Sequence, residues 1–373
     1  MPEALLEQTA VPVEAVRVGA FRVPTDTPES DGTLQWDATT LVVVEVSGGG
    51  ETGLGYTYAE PGVAAAIAGP LAGVVHGRHS GEIPALWLEM FGRLRNAGRQ
   101  GASAMAVSAV DVALWDWHAR LLGAPRALLL GLVRPELPVY GSGGFTSYSD
   151  AQLRQQFEGW AEQGVTRFKM KIGRDRRRDP GRVAAARRTI GAGAELFVDA
   201  NSAYAVREAL AAGTRFAEEF DVRWFEEPLA PEDLDGLRYL RERVPAKLEI
   251  ADGEYGYDLA YFHRALGAEA IDVAMADATR CGGITGFLKV AALCEAWNRP
   301  LSTHCAPALH VHPGCAAAPL RHAEYFHDHA RIEHLLFEGA PELRGGALRP
   351  DLGRPGHGLA FKWADAGKYA LSF

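Results

Sequence analysis

The sequence predicts an α/β barrel preceded by a smaller α+β module, and three observations lead to this fold class. Short apolar runs alternate with amphipathic helical segments eight times from about residue 137 onward, the pattern of parallel βαβ units. Six of these runs end in polar residues, at intervals close to the length of one βα unit. No GxGxxG fingerprint follows the first run, so a closed barrel is favoured over an open dinucleotide-binding sheet.

The first part of the chain has a different pattern, typical of an antiparallel sheet followed by helices. The runs "VEAVRVGAFRVP" and "ATTLVVVEVSG" are rich in β-branched residues, and the glycines at 48–50 predict a turn after the second. Apolar residues then recur at helical spacing over 62–80, 84–98 and 102–122, the last segment ending at Gly123. These elements predict the α+β module.

The eight barrel units are predicted to begin near residues 137, 165, 195, 222, 247, 271, 299 and 323. After about residue 340 the composition becomes rich in Gly and Pro, which predicts a tail that runs back over the first module. The predicted domains are therefore 1–134, completed by the tail 345–373, and a barrel over 135–344.

Composition restricts the possible partners. The 373 residues are 47% hydrophobic and 23% charged, as in an ordinary globular protein, and the formal net charge of −9 argues against nucleic acid or an anionic membrane surface. No apolar run is long enough to span a membrane, and "MPEALLEQTAVPVEAV" lacks the pattern of a secretory signal. We therefore expect a cytoplasmic protein whose four cysteines, without a CxxC motif, are reduced packing residues.

Three carboxylates at successive strand ends predict a metal site. Asp199, Glu226 and Glu254 would bring oxygen ligands from rigid elements to the mouth of the barrel, which suits a hard divalent cation such as Mg²⁺. Two choices stay open at this stage. In "IADGE" either Asp252 or Glu254 can point inward, and in "WFEEP" only one of Glu226 and Glu227 can.

Basic residues accompany these acids. Lys169 and Lys171 are two apart on one strand, so both should point into the barrel, where crowding or burial would lower the pKa of the second. The alternative is that both merely neutralise the carboxylates. Asp277 and His304 close neighbouring strands, and a carboxylate behind an imidazole fixes its tautomer and raises its basicity.

At this point the chain resembles a known family. The motifs "KMK", "DAN", "WFEEP", "IADGE", "DATRCGG" and "STH", in this order and at these spacings, closely resemble the enolase superfamily and specifically its mandelate racemase subgroup. The segment from Ala106 to Gly131 is similar to the helix that precedes the barrel in that family. The resemblance implies an α+β capping domain and a modified TIM barrel, (β/α)7β, with seven parallel strands and one antiparallel strand.

The resemblance also implies roles for individual residues. One Mg²⁺ per active site would be bound by three ligands: Asp199, Glu226 and Glu254. Lys171 would be the base on one face of the substrate, and His304, supported by Asp277, would serve the other face. The substrate would be contacted by the side chains of Lys169, Asn201 and Glu324.

The implied activity is removal of a proton α to a carboxylate, through an enediolate. The preferred reaction is dehydration of a sugar acid (aldonate or aldarate) to a 2-keto-3-deoxy acid, and the alternative is racemisation or epimerisation of a 2-hydroxy acid. A non-catalytic relative is disfavoured because no expected motif residue is lost. The resemblance further suggests dimers that assemble into octamers. Trp36, Tyr56 and Tyr58 of the capping module either set specificity or are ordinary packing residues.

Overall fold

A computed structural model describes residues 10–373. The first nine residues of the predicted domain 1–134 therefore lie outside the described residues. They include most of the segment "MPEALLEQTAVPVEAV", for which no secretory signal was predicted. Within residues 10–373, no helix is long and apolar enough to cross a membrane.

The N-terminal module is an antiparallel sheet covered by helices. Its strands are β1 (Ala15–Ser30), β2 (Gln35–Gly48) and β3 (Glu51–Tyr58), and a short strand of the tail, β15 (Ala370–Leu371), joins them in the order β15, β1, β2, β3. The long helix Ala102–Leu121 packs directly on β3, where a Cβ atom at Gly55 would lie only 2.1 Å from the carbonyl oxygen of Ala109. Glycine in β3 therefore permits the close approach of helix and sheet.

The barrel contains the eight predicted strands, and its closure confirms the fold class. The strands are β4 (Leu137–Gly143), β5 (Arg167–Lys171), β6 (Glu195–Asp199), β7 (Val222–Glu226), β8 (Glu249–Asp252), β9 (Val273–Ala276), β10 (Leu301–Thr303) and β11 (Leu320–Phe326). Each pairs in parallel with the next, and β11 pairs in parallel with β4 to close the ring.

One implied detail is wrong, because all eight barrel strands are parallel. A helix crosses over between each strand and the next, so every strand must run in the same direction. The antiparallel partner of β4 is instead the two-residue strand β13 (Ala347–Leu348) of the tail. The remaining short strands are β12 (Phe337–Glu338), β14 (Ala360–Phe361) and β15 (Ala370–Leu371).

The helices follow the predicted pattern with one interruption. They are α1 (Gly62–Ala66), α2 (Ala72–Val75), α3 (Ile83–Arg93), α4 (Ala102–Leu121), α5 (Arg126–Leu130), α6 (Asp150–Glu162), α7 (Asp179–Ile190), α8 (Val206–Phe220), α9 (Leu234–Arg241), α10 (Leu259–Gly267), α11 (Gly283–Ala296), α12 (Pro307–Ala316), α13 (His327–Leu336) and α14 (Trp363–Ala366). The single helix expected over 62–80 is divided by a π-helical turn at Ile67–Leu71, which contains Pro70. Proline removes a backbone donor from the helical ladder, which accounts for the irregularity.

The contacts between the two parts of the molecule include the tail and the β1–β2 hairpin. Strand β15 pairs with β1, so the tail ends in the N-terminal sheet, while the exact domain limits stay a prediction. The hairpin tip covers the barrel mouth, where the backbone N–H of Thr146 donates to the carbonyl of Ser30 at 2.8 Å. A Cβ at Gly32 would lie 2.3 Å from the carbonyl oxygen of Ala200, so the tip lies directly on the loop after β6.

Candidate active site

The carboxyl ends of the barrel strands form one buried ring of charged side chains beneath the hairpin. The predicted site residues all belong to this ring and are all buried: Lys169, Lys171, Asp199, Asn201, Glu226, Glu254, Asp277, His304 and Glu324. Below them, large side chains fill the barrel interior: Tyr140, Phe197, Trp224 and Met275. The polar ring therefore rests on a packed apolar floor, as in other closed barrels.

The three predicted ligands come together. Asp199, Glu226 and Glu254 each offer a carboxylate oxygen, and these atoms lie within 4.8 Å of one another. The orientation of Glu226 is fixed by the indole N–H of Trp224, which donates to its Oε2 at 2.8 Å. Oε2 of Glu254 is buried and makes no hydrogen bond within the described chain. Three converging carboxylates with a free oxygen fit a hard divalent cation.

Asp252 and Glu227, the other two acids that the strand period left open, lie outside this cluster. Tyr261 donates to Oδ1 of Asp252 at 2.5 Å. Burial, and then the neighbouring Glu254, raise the pKa of Asp252 to about 7, despite that hydrogen bond. Glu227 follows Glu226 with a positive φ of 38° and lies outside the three-residue cluster. Burial and the nearby charges of Glu254 and Asp252 raise the pKa of Glu227 well above its usual range.

Both lysines are paired with acids. Nζ of Lys171 lies 2.5 Å from Oδ2 of Asp199. Nζ of Lys169 contacts Glu226 and lies 2.7 Å from Oε1 of Glu324. Burial alone would lower the pKa of Lys171, but the attraction of Asp199 outweighs it and raises that pKa above the ordinary value. The expected lowering of the Lys171 pKa is therefore wrong, because carboxylates outnumber ammonium groups in the ring.

His304 and Asp277 form the predicted pair. Nδ1 of His304 lies 2.8 Å from Oδ2 of Asp277. Burial would raise the pKa of Asp277, but the hydrogen bond from His304 and its charge hold that pKa well below its usual range. Nε2 of the imidazole then points toward the carboxylate cluster, 3.4 Å from Oε2 of Glu254.

Glu324 lies between the lysines and the histidine. Its Oε1 accepts a hydrogen bond from Ser142 at 2.6 Å, and its Oε2 accepts the backbone N–H of Cys305 at 2.7 Å. Burial would raise the pKa of Glu324, but Lys169 and then His304 hold it well below its usual range. Asn201 follows β6 with a positive φ of 43°, and its buried Oδ1 has no hydrogen-bond partner among residues 10–373.

The structure adds His310 to the site, a residue to which the sequence analysis assigned no role. Its Nε2 accepts the backbone N–H of Ala278 at 2.9 Å, so its Nδ1–H must be the donor to the carbonyl of Cys305, also at 2.9 Å. His310 thus connects the residue after Asp277 to the residue after His304. A histidine six positions after His304 was the only signal in the sequence, and spacing alone does not reveal such a bridge.

The three aromatic residues of the capping module lie in two different places. Trp36 packs against a buried cluster at the barrel mouth made of Phe145, Tyr148, Cys305 and Phe326. Nζ of Lys171 lies 6.0 Å from the centroid of the Phe326 ring, so this cluster forms an apolar wall beside the lysine. Tyr56 and Tyr58 instead pack on α13: Tyr56 donates to Oε1 of Glu333 at 2.6 Å, and the ring of Tyr58 stacks on that of His329.

Comparison with known proteins identifies relatives over nearly the whole chain. Residues 16–131 match the mandelate racemase/muconate lactonizing enzyme N-terminal domain, and residues 152–366 match the enolase C-terminal domain-like family. A 3,6-anhydro-alpha-L-galactonate cycloisomerase from Streptomyces coelicolor is 36% identical over 96% of this chain and 99% of its own length.

Solved structures agree with this relationship. A mandelate racemase/muconate lactonizing enzyme-like protein from Rubrobacter xylanophilus has a TM-score of 0.94 and 52% identity, covering 96% of this chain and 100% of that chain. A variant of L-talarate/galactarate dehydratase, solved with Mg and L-glucarate, has a TM-score of 0.90 and 27% identity, covering 98% of this chain and 93% of that chain. The barrel and its capping sheet are therefore shared with enzymes that bind magnesium and sugar acids.

Proposed function

Because the chain belongs to the mandelate racemase/muconate lactonizing enzyme family of the enolase superfamily, we propose that it removes the proton α to the carboxylate of a sugar acid. The observation that carries this proposal is the arrangement around the carboxylate cluster. Lys171 contacts Asp199 at one end of the cluster, and His304 contacts Glu254 at the other. A substrate bound over the cluster would have one proton-transferring group on each side.

The cofactor proposed for this site is a single Mg²⁺, held by Asp199, Glu226 and Glu254. When bound, the cation supplies the positive charge that makes the α-proton acidic enough to remove and stabilises the enediolate that forms. Lys171 would pair less strongly with Asp199 in the presence of the ion, because its ammonium group and the ion would compete for the same carboxylate oxygens. Lys171 would then be free to act as the base.

The remaining ring residues would bind and orient the substrate. Lys169 is held by Glu226 and Glu324 with its ammonium group inside the ring, where it would contact the substrate carboxylate. Asn201 would donate hydrogen bonds from its side-chain amide to the same end of the substrate, and Glu324, which is ionised and only accepts, would bind a substrate hydroxyl there. His304 would use Nε2, because Nδ1 is committed to Asp277. The hairpin above the ring would exclude water during the reaction.

After proton removal, the function that the site supports best is expulsion of a β-oxygen, with His304 as the general acid. Loss of a β-hydroxyl as water gives a 2-keto-3-deoxy acid, the dehydratase reaction. Loss of a ring oxygen instead opens the ring without loss of mass, a cycloisomerase reaction. The apolar wall of Phe145, Phe326 and Trp36 favours this second candidate, since a ring-closed sugar acid has fewer hydroxyl groups than an open-chain acid.

A panel of open-chain, anhydro and lactone sugar acids, incubated with the protein and Mg²⁺ in D₂O, tests these reactions together. A 2-keto product that has lost one water indicates dehydration. A 2-keto product that has lost no water, and differs from its substrate only by solvent deuterium taken up in place of the α-hydrogen, indicates ring opening. Deuterium uptake at the α-carbon without a keto product indicates racemisation or epimerisation. No exchange and no product with any acid would contradict the proposed activity.

The oligomeric state and the cytoplasmic location stay predictions.

A further inference from the structure

Beside the carboxylate cluster lies a second group of possible ligands with different chemistry: an imidazole, a thiol and a carboxylate. From their geometry we infer a second cation site, formed by His304, Cys305 and Glu324 and selective for thiophilic divalent ions such as Zn²⁺. An ion bound there would hold Nε2 of His304, so it would inhibit the reaction proposed above. That inhibition rests on the proposed function, whereas the site itself rests only on the geometry.

The distances suit a small tetrahedral ion. One ligand atom from each of the three side chains lies within 4.8 Å of the others. Nε2 of His304 is 3.3 Å from Sγ of Cys305 and 4.0 Å from Oε2 of Glu324. Ligand atoms around a tetrahedral Zn²⁺ are ~3.5 Å apart, given bonds of about 2.0–2.3 Å. Small side-chain movements would therefore place the three side chains at three of the four ligand positions of a tetrahedral ion, and the fourth position would stay open.

The surroundings orient the ligands before any ion arrives. Asp277 lies behind Nδ1 of His304, the carboxylate–histidine arrangement that directs the lone pair of Nε2 outward in zinc sites. Cys305 has a positive φ of 50°, and its backbone N–H donates to Glu324, so the thiol and the carboxylate are held on the same side of the imidazole. Burial, followed by the charge of Glu324, raises the pKa of the Cys305 thiol, so binding of an ion would release a proton.

The two sites differ in the ions they prefer. Asp199, Glu226 and Glu254 provide only oxygen, which suits Mg²⁺, whereas nitrogen and sulfur ligands favour Zn²⁺ and Co²⁺. Saturation of the oxygen site with Mg²⁺ should therefore leave the second site available.

Titration of the full-length protein with Co²⁺, in excess Mg²⁺, tests this inference without measuring turnover. Co²⁺ in the sulfur site should produce a thiolate-to-cobalt charge-transfer band that saturates at one equivalent and disappears on addition of Zn²⁺. Cobalt that replaces Mg²⁺ among the carboxylates produces no such band. Absence of the band at saturating Co²⁺ in the unmodified protein would overturn the inference.

Variants identify the ligands. Cys305→Ser and Cys305→Ala should both lose the band, while Cys315→Ser, at another buried free cysteine, should retain it. Asp277→Asn should keep the band but weaken Co²⁺ and Zn²⁺ binding by roughly 10- to 100-fold, the usual cost of removing such a supporting carboxylate. A band that survives in Cys305→Ser, or is lost in Cys315→Ser, would assign the sulfur ligand elsewhere and contradict the proposal. Since the band is independent of substrate, failure of this site and failure of the proposed activity are distinguishable.

Discussion

The two sides of the barrel mouth are built on different physical principles. On the oxygen side, which comprises Asp199, Glu226 and Glu254, like charges are held together by the rigid strand ends and balanced by two lysines. On the imidazole side, which comprises Asp277, His304 and Glu324, each group is oriented by hydrogen bonds, many of them to backbone atoms. The function of the oxygen side should therefore depend on a bound ion, whereas the geometry of the imidazole side depends on the hydrogen bonds that its neighbours make.

The backbone directly after His304 is also held in place by hydrogen bonds to neighbouring side chains. Cys305 and Ala306 both have positive φ values, of 50° and 40°, a conformation that side chains other than glycine rarely adopt. Their backbone N–H groups donate to Glu324 and His329, and the next N–H along the chain, that of Ala308 after Pro307, donates to Glu333. A substitution on the oxygen side should therefore mainly affect ion binding, whereas one on the imidazole side should mainly affect the geometry of the catalytic groups.

Removal of the divalent ion is expected to have the largest effect, because the oxygen side has no function without it. A chelator should abolish turnover completely, and added Mg²⁺ should restore it. Mg²⁺ should also raise the melting temperature of the chelated protein, since it binds only the folded state. Activity that persists in chelator, measured with the sugar acid found in the panel, would remove the metal from the mechanism.

His304→Asn should have the next largest effect, on the imidazole side alone. Loss of a general acid typically costs about 10²- to 10⁴-fold in kcat. Exchange of the α-proton by Lys171 should continue, because that lysine belongs to the oxygen side. The variant should therefore still incorporate deuterium from D₂O while forming little keto product. Equal loss of exchange and of product would show that the two sides do not act separately.

The sequence predicted the oxygen side better than the imidazole side, for a physical reason. Asp199, Glu226 and Glu254 follow strands that recur at a regular interval, and periodicity brings such residues to one edge. The family resemblance supplied the roles of Glu324 and Asn201. The bridge made by His310 depends on one helix, α12, turning back over two strand ends, and no local pattern encodes that contact. The pKa of Lys171 depends on the number of charges around it, which the sequence does not reveal.

His310→Asn tests whether the geometry of the imidazole side depends on this bridge. Asn cannot reach both Ala278 and Cys305 as the imidazole does, so we expect kcat to fall on the order of tenfold, about 1.4 kcal/mol of transition-state stabilisation. KM should change little, because no contact between His310 and the substrate is proposed. His312→Asn is the matched control, since His312 is also buried on α12 but accepts a hydrogen bond from Ala127 instead. Equal losses of kcat in the two variants would indicate a purely structural role for His310.

The smallest expected effect concerns Glu333, which connects the capping module to the imidazole side through Tyr56 and the N–H of Ala308. Burial raises the pKa of Glu333 to about 8, against hydrogen bonds that favour the ionised form. The folded state therefore holds this proton more tightly than the unfolded state, whose glutamate titrates near 4.5. The contribution of Glu333 to the free energy of unfolding should fall as pH rises from about 4.5 to about 8, and should then become constant.

Glu333→Gln should remove that part of the pH dependence, because glutamine does not titrate and can still accept at one oxygen. The measurement is urea unfolding of both proteins across this pH range, with Glu338→Gln, an exposed glutamate on β12, as the control. The difference in unfolding free energy between Glu333→Gln and the unmodified protein should favour the variant increasingly as pH rises. A difference that is independent of pH would mean that Glu333 stays ionised in the fold, and that the connection between cap and imidazole side carries a buried charge.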